Sequence, residues 1–313
     1  MNRKFHKLGF QTPRGIQWSD GRSVGLNRGV QLHLLSQNFS YRIAEVKSSS
    51  DDGGEAAFRI TGSDADRERL NILLGTFRRS NDSNVERSFL AMVDQVAQTL
   101  VASSQVSYEI IPSVDADGAY MLRYINSRGL FRLGFGCLQV VPKGAVFQGD
   151  SRWAWIPRRC VTEISMPPAL GGKRSHQVRL WLLGKYGGYL PKFVENAPSQ
   201  IAAEIERGFE YKVAQKQGFE LQMAATRTLG GIPTSKASSI TEAYLVYRLA
   251  TARWAKAILR DHILDWLKHL CEDLRIEVQF DVAAFITPQE ILAKRDAALK
   301  GDCSFADALP KTL

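Results

Sequence analysis

The amino-acid sequence predicts an α+β fold in which a β-rich middle, with strands and a hairpin at about residues 104–165, packs with long C-terminal helices. Three observations carry this. Val85, Phe89, Val93, Val96 and Leu100 recur at helical spacing. Directly after them the apolar period drops to two: Val106, Tyr108 and Ile110 share one face, Asp115-Ala116-Asp117-Gly118 forms a turn, and Tyr120, Leu122 and Tyr124 return. From Ser239 to Leu274 one helical pattern then runs without a breaker, followed by the alternating segment Arg275–Phe280.

Taken in order, residues 1–55 are rich in Gly, Ser, Asn and Arg, with a short apolar patch at Val30–Leu35. They read as an N-terminal arm or small β element. Ser48–Gly54 is small, polar and acidic, which suits a linker or an exposed hairpin tip. Residues 56–195 form a mixed α/β domain. It opens with a strand at Ala57–Thr61 and a helix capped near Ser63 that turns Leu70, Ile72, Leu73 and Leu74 inward. Ser83-Asn84-Val85-Glu86 has the spacing of a capping box, so the next helix starts there and ends near Ala102.

After the hairpin, further strands are expected at Cys137–Val141, Ala154–Ile156 and Val161–Ile164, and a helical pattern returns around Val178–Leu183. Residues 196–313 form the long-helix region. It contains a helical pattern at Ser199–Leu229 interrupted near Gly218, the rod Ser239–Leu274 with Leu245, Leu249, Leu259, Ile263, Trp266, Leu267 and Leu270 on its apolar face, and a last helix opened by Thr287-Pro288-Gln289-Glu290 and closed by Gly301.

At 313 residues and 44% hydrophobic, the chain is long enough to bury a sizeable core. Its net charge of +9 favours polyanionic partners, nucleic acid first. Cys137, Cys160, Cys271 and Cys303 form no C-x-x-C pair, which argues against a zinc ribbon or a dithiol redox site and for buried reduced thiols. With no signal-peptide core and no membrane-length apolar run, a cytoplasmic or virion-associated location is expected.

Few residues carry chemistry. Glu45-Val46-Lys47 matches the E-x-K half of a Mg²⁺-dependent nuclease site, for which Asp20 is the candidate upstream carboxylate, although no Pro-Asp pair precedes it. Asp265 and His269 lie one helical turn apart near His262, but the rise between the two histidines is too great for one ion, so neither a metal nor another cofactor is expected. The five histidines sit near no nucleophile motif, and Gly171-Gly172-Lys173-Arg174-Ser175 lacks P-loop spacing. That glycine turn instead belongs to the densest basic stretch. Arg158, Arg159, Lys173, Arg174 and Arg179 interleave there with Trp153, Trp155 and Trp181, a composition suited to non-specific contacts with a DNA backbone.

The order of these pieces has a further reading. The segments Val96–Val101, Ser107–Ile111, the Asp117-Gly118 hairpin, Ile156-Pro157, Val161–Ile164, Gly231-Ile232-Pro233, Ser238–Glu242, the long helix, Ile276–Phe280 and Thr287–Ile291 follow one another over roughly residues 80–300. In that order the chain resembles the core of tailed-phage portal proteins. It is a shortened version, with little chain between Ile164 and Gly231. The resemblance implies a wing-like unit at 56–195, a homo-oligomeric ring, a channel wall facing DNA, and no catalysis. It makes Lys212 and Lys216, and Arg253, Lys256 and Arg260 of the long helix, candidates for channel or subunit contacts. The competing function class is a nucleic-acid-binding or Mg²⁺-dependent nuclease component of a mobile-element or defence system, built on Glu45 and Lys47.

Overall fold

A computed structural model describes residues 13–19, 58–77, 84–113, 118–186 and 242–304 of the chain. Both helices and antiparallel sheets are present, so the fold is α+β. The described residues form ten strands, β1 (Trp18–Ser19), β2 (Ile60–Gly62), β3 (Gln105–Pro112), β4 (Tyr120–Ile125), β5 (Leu130–Leu133), β6 (Gly136–Val140), β7 (Val146–Phe147), β8 (Trp153–Pro157), β9 (Val161–Ser165) and β10 (Val278–Phe280). Five α-helices accompany them: α1 (Asp64–Leu73), α2 (Val85–Ser103), α3 (Gly172–Tyr186), α4 (Glu242–Leu274) and α5 (Pro288–Lys300).

Local hydrogen bonds fix the helix starts. Ser63 Oγ accepts from the Asp66 amide at 3.1 Å and opens α1. At α2 the cap is Asn84, whose side chain accepts from the Arg87 amide at 2.9 Å. Ser83, the other half of the expected box, lies outside the described residues. Glu86 accepts from the Ile60 amide and from Arg67, tying α2 to β2 and α1. α2 runs one residue past Ala102 and stops at Ser104, which takes a left-handed φ of 67° and bonds back to Leu100. The reciprocal box at α5 is complete: Glu290 accepts from the Thr287 amide at 2.7 Å and donates its own amide to Thr287 Oγ1 at 3.2 Å.

The β3–β4 hairpin forms in antiparallel register, with Tyr108 opposite Tyr124, and β9 pairs with the other edge of β3. A second antiparallel sheet is ordered β5-β6-β8. Its central strand β6 and its edge strand β8 match expected strands, whereas the other edge, β5, is new. The expected strand Arg275–Phe280 is shorter than its pattern. Arg275 turns through φ 58°, and only Val278–Phe280 pairs, against β2.

Because strand side chains alternate, β3 and β9 each serve two neighbours. Val106, Tyr108, Ile110 and Ile164 join the main core with Phe89, Val93, Val96 and Leu100 of α2 and Leu259, Ile263, Leu267 and Leu270 of α4. On the opposite face, Val161 packs with Ile125, Leu130, Cys137 and Ile156, a smaller core between the two sheets. Among the described residues the order of layers is therefore helices, the β4-β3-β9 sheet, then the β5-β6-β8 sheet.

α4 is a single helix of 33 residues, about 50 Å long, through the described part of the expected rod. Its packing face is fixed by two polar bonds as well as by Leu and Ile. His262 Nε2 donates to the Ser165 carbonyl at 2.9 Å, and Trp266 Nε1 donates to Thr162 Oγ1 at 2.9 Å, both on β9. Arg260 is buried rather than displayed. Its guanidinium donates to the Ile286 carbonyl at 3.0 Å and to Asp261, and lies 4.7 Å over the Phe285 ring, so it holds α4 to the segment entering α5 and is taken out of the channel-facing set.

Residues 13–19 link the two sheets. Glu109, buried on the second face of β3, accepts from the amides of Arg14 at 2.8 Å and Gly15 at 3.0 Å. Gln139 of β6 both accepts from the Ile16 amide and donates to its carbonyl. β1 then pairs with β7.

Candidate nucleic-acid interface

The site grows from the polar face of β3. Gln105, Ser107 and Glu109 alternate with the core residues, and Ser107 lies directly opposite Glu163 of β9. An antiparallel pair sets such side chains within reach of each other. Glu163 is thereby held where the two sheets and the start of α3 converge. Ser107 Oγ donates to its Oε1 at 3.0 Å and Gln105 Nε2 to the same oxygen at 3.1 Å. Arg132 of β5 adds a two-pronged contact, Nε to Oε2 at 2.6 Å and Nη2 to Oε1. Arg158, just past β8, donates to Oε2 at 3.5 Å. A cleft of about 430 Å³ opens beside this carboxylate, walled by Gln105, Arg132, Arg158, Glu163 and Lys173.

Charge in the cleft is unbalanced. Burial pushes the Glu163 carboxyl up, but the Arg132 hydrogen bonds and charge, the Ser107 bond and the Arg158 charge outweigh it and hold the group below the usual carboxylate range, so it is ionised. That single negative charge faces Arg132, Arg158 and Lys173. Lys173 is pushed down, first by burial and then by the charges of Arg132 and Arg174, with Glu163 pulling the other way. Burial is the larger cause, and the smaller part that comes from Arg132 and Arg174 is repulsion that an incoming anion would offset. Phosphate oxygens suit the forked guanidinium and the point-charged ammonium equally.

The glycine turn positions Lys173. Gly171, at φ 97°, ends the short turn Pro168–Leu170, and a Cβ there would lie 2.5 Å from the Arg179 guanidinium. Arg179 fills that space and donates to the Leu170 carbonyl at 3.1 Å, so its role is to close the turn on which α3 starts. Arg174 is exposed on the first turn of α3, which carries no acidic residue. Arg159 is exposed next to Arg158. Asp20, Glu45, Lys47, Lys212 and Lys216 lie outside the described residues.

His176 docks α3 against α2. It is buried, and its Nε2 donates to the Val101 carbonyl at 2.8 Å. Burial is the main cause that lowers its pKa below 6.5; the Val101 bond opposes this and the Arg179 charge adds to it. The folded state therefore favours neutral imidazole, and the stability this contributes is present above the ordinary histidine value and lost as pH falls through the lowered one. Thermal melts should show a smaller fall in Tm between about pH 7 and about pH 5 for His176→Gln than for wild type. Parallel falls would refute the assignment.

The remaining candidates have structural partners. His262 bonds to Ser165, and His269 Nδ1 donates to the Asp265 carbonyl at 2.6 Å. Cys137 and Cys160 are buried, with thiols pushed up chiefly by burial, and so lack the thiolate character of nucleophiles. Sequence reasoning placed Arg158 and Lys173 in the basic stretch but missed Arg132 and Glu163. Alternation on β3 and β9 left Ser107 and Glu163 on an apparently solvated face, and nothing local signals a second sheet above it.

No model of a known protein family matches the chain, and no curated protein does. Among the described residues no helix is long and apolar enough to cross a membrane.

Proposed function

We propose that this protein is a non-catalytic structural component that associates with DNA and assembles as a homo-oligomer, in the manner of the portal proteins its sequence resembles. The cleft at Glu163 holds backbone phosphate. The supporting observation is the surplus of cations there: Arg132, Arg158 and Lys173 converge on one carboxylate in a concave site at the junction of two sheets. A phosphate diester brings the missing negative charge without requiring any base to be read, which fits non-specific binding. The long continuous α4, anchored along β9 and α5, supplies a rigid strut for assembly.

Filter binding of duplex DNA across a salt series tests this. Wild type should lose affinity linearly on a log–log plot. The double variant Arg158→Ala/Lys173→Ala should bind more weakly, with a slope shallower by about 2, one unit per lost phosphate contact. Equal slopes would place the contacts elsewhere. Mass photometry of the wild type at micromolar concentration should show one discrete oligomer; a monomer under all conditions would remove the assembly half of the proposal.

A further inference from the structure

Among the described residues, the outermost layer has the wrong surface for an outer layer. A sheet packed on one face ordinarily presents polar side chains on the other. In the β5-β6-β8 sheet, Phe131, Leu138 and Trp155 stand opposite one another across the three strands, and Leu133 and Trp153 continue the same face. Phe135 at the β5–β6 turn is 81% exposed and Trp153 is 63% exposed.

This face is also built. A Cβ at Gly136 would come within 2.1 Å of the Trp155 indole, so only glycine lets that ring lie across β6. The Phe135 ring packs beside it, centroids 5.2 Å apart. The Phe135 carbonyl in turn accepts from the Arg158 amide at 3.2 Å, which fixes the aromatic pair next to the cation that lines the phosphate cleft. Aromatic planes and a phosphate-binding cation thus meet at one edge of one sheet.

Charge selects the occupant. Between Gly118 and Cys160 the only acidic residue is Asp150, against seven Arg and Lys. A second copy docked face to face would oppose two basic rims, whereas a partner that is anionic and carries flat apolar planes matches both features. A duplex hides its base planes; a single strand exposes them.

We infer that the outer face of the β5-β6-β8 sheet is a stacking platform for single-stranded nucleic acid, with bases on Phe135, Trp155 and Trp153 and the adjoining phosphate on Arg158 at the sheet edge. This rests on the reading that the Glu163 cleft takes backbone phosphate, and adds to it the class of nucleic acid bound.

The test is fluorescence anisotropy with full-length protein, fluorescein-labelled oligo(dT) and a labelled duplex of equal length. Wild type is compared with Phe135→Ala/Trp153→Ala, both exposed positions, and circular dichroism and mass photometry are run on each. The double variant should lose about tenfold or more in affinity for oligo(dT) while duplex affinity changes by less than about twofold, since each lost stack is worth on the order of 1–3 kcal/mol. Oligo(dT) should also quench wild-type tryptophan fluorescence. Unchanged oligo(dT) affinity in the variant overturns the platform, and so does an equal loss on both DNA forms. A variant that falls apart from the wild-type oligomer while still binding oligo(dT) shows that the face is a protein contact, which also overturns it. Failure of wild type to bind either DNA overturns the phosphate cleft as well, whereas duplex binding alone overturns only the platform.

Discussion

Phe89→Ala is expected to cost about 3–5 kcal/mol of folding stability and to lower the Tm by roughly 10 °C or more. Phe89 is fully buried on α2, stacked on Phe58 with centroids 4.8 Å apart and 5.6 Å from Phe280 of β10. Phe58 stacks in turn on Phe285, near the start of α5, at 4.9 Å. One ring therefore ties the segment before β2 to the chain that follows α4. Truncation removes its transfer free energy and leaves a cavity beside Phe58, which its remaining stack on Phe285 keeps from closing it fully. Phe131→Ala removes the same atoms from the exposed face of β5 and should change stability by no more than about 0.5 kcal/mol. Denaturant melts of the two variants give the contrast. A Phe89→Ala loss as small as that of Phe131→Ala would mean that this aromatic cluster does not hold the two parts of the chain together.

Elements whose cause is local were legible in the sequence. Ser63 and Thr287 announce helix starts because a cap bonds an amide three residues on. The β3–β4 hairpin follows from period-two alternation, and α4 from an apolar stripe with no breaker. Elements whose cause is distant were not legible. β5 exists because β6 pairs with it, and Arg132 acquires a role only through Glu163, 31 residues away. Glu109 looks like a solvated strand residue until residues 13–19 return to place two amides on it. Glu86, legible only as a first-turn helix residue, takes its partners Ile60 and Arg67 from elements that precede it by 19 or more residues. Charge density on the chain located the neighbourhood of the cleft. The three-dimensional meeting of two sheets supplied its centre.

That centre carries the second large expected effect. Glu163→Ala should destabilise the fold and strengthen anion binding at once. With the carboxylate gone, Arg132, Arg158 and Lys173 repel one another, and Gln105 and Ser107 lose their acceptor. Breaking a buried ion pair costs about 3–5 kcal/mol, but Arg132 and Arg158 keep roughly a third of their side-chain surface in water, which reduces the expected loss to about 2 kcal/mol. The same unpaired cations would take up inorganic phosphate or a DNA backbone more tightly, so added phosphate should recover more Tm in the variant than in wild type. The acid limb gives a separate reading. Because the folded carboxyl lies below its ordinary value of 4.5, its contribution is complete above that value and is lost as pH falls through the lowered one. Wild type should therefore lose stability across that window, and Glu163→Ala should lose less. Glu163→Gln, which keeps an acceptor but no charge, should restore part of the stability while retaining the tighter phosphate binding. If Glu163→Ala is destabilised yet binds phosphate no better than wild type, the carboxylate merely braces the two sheets and the phosphate site must be sought away from the cleft.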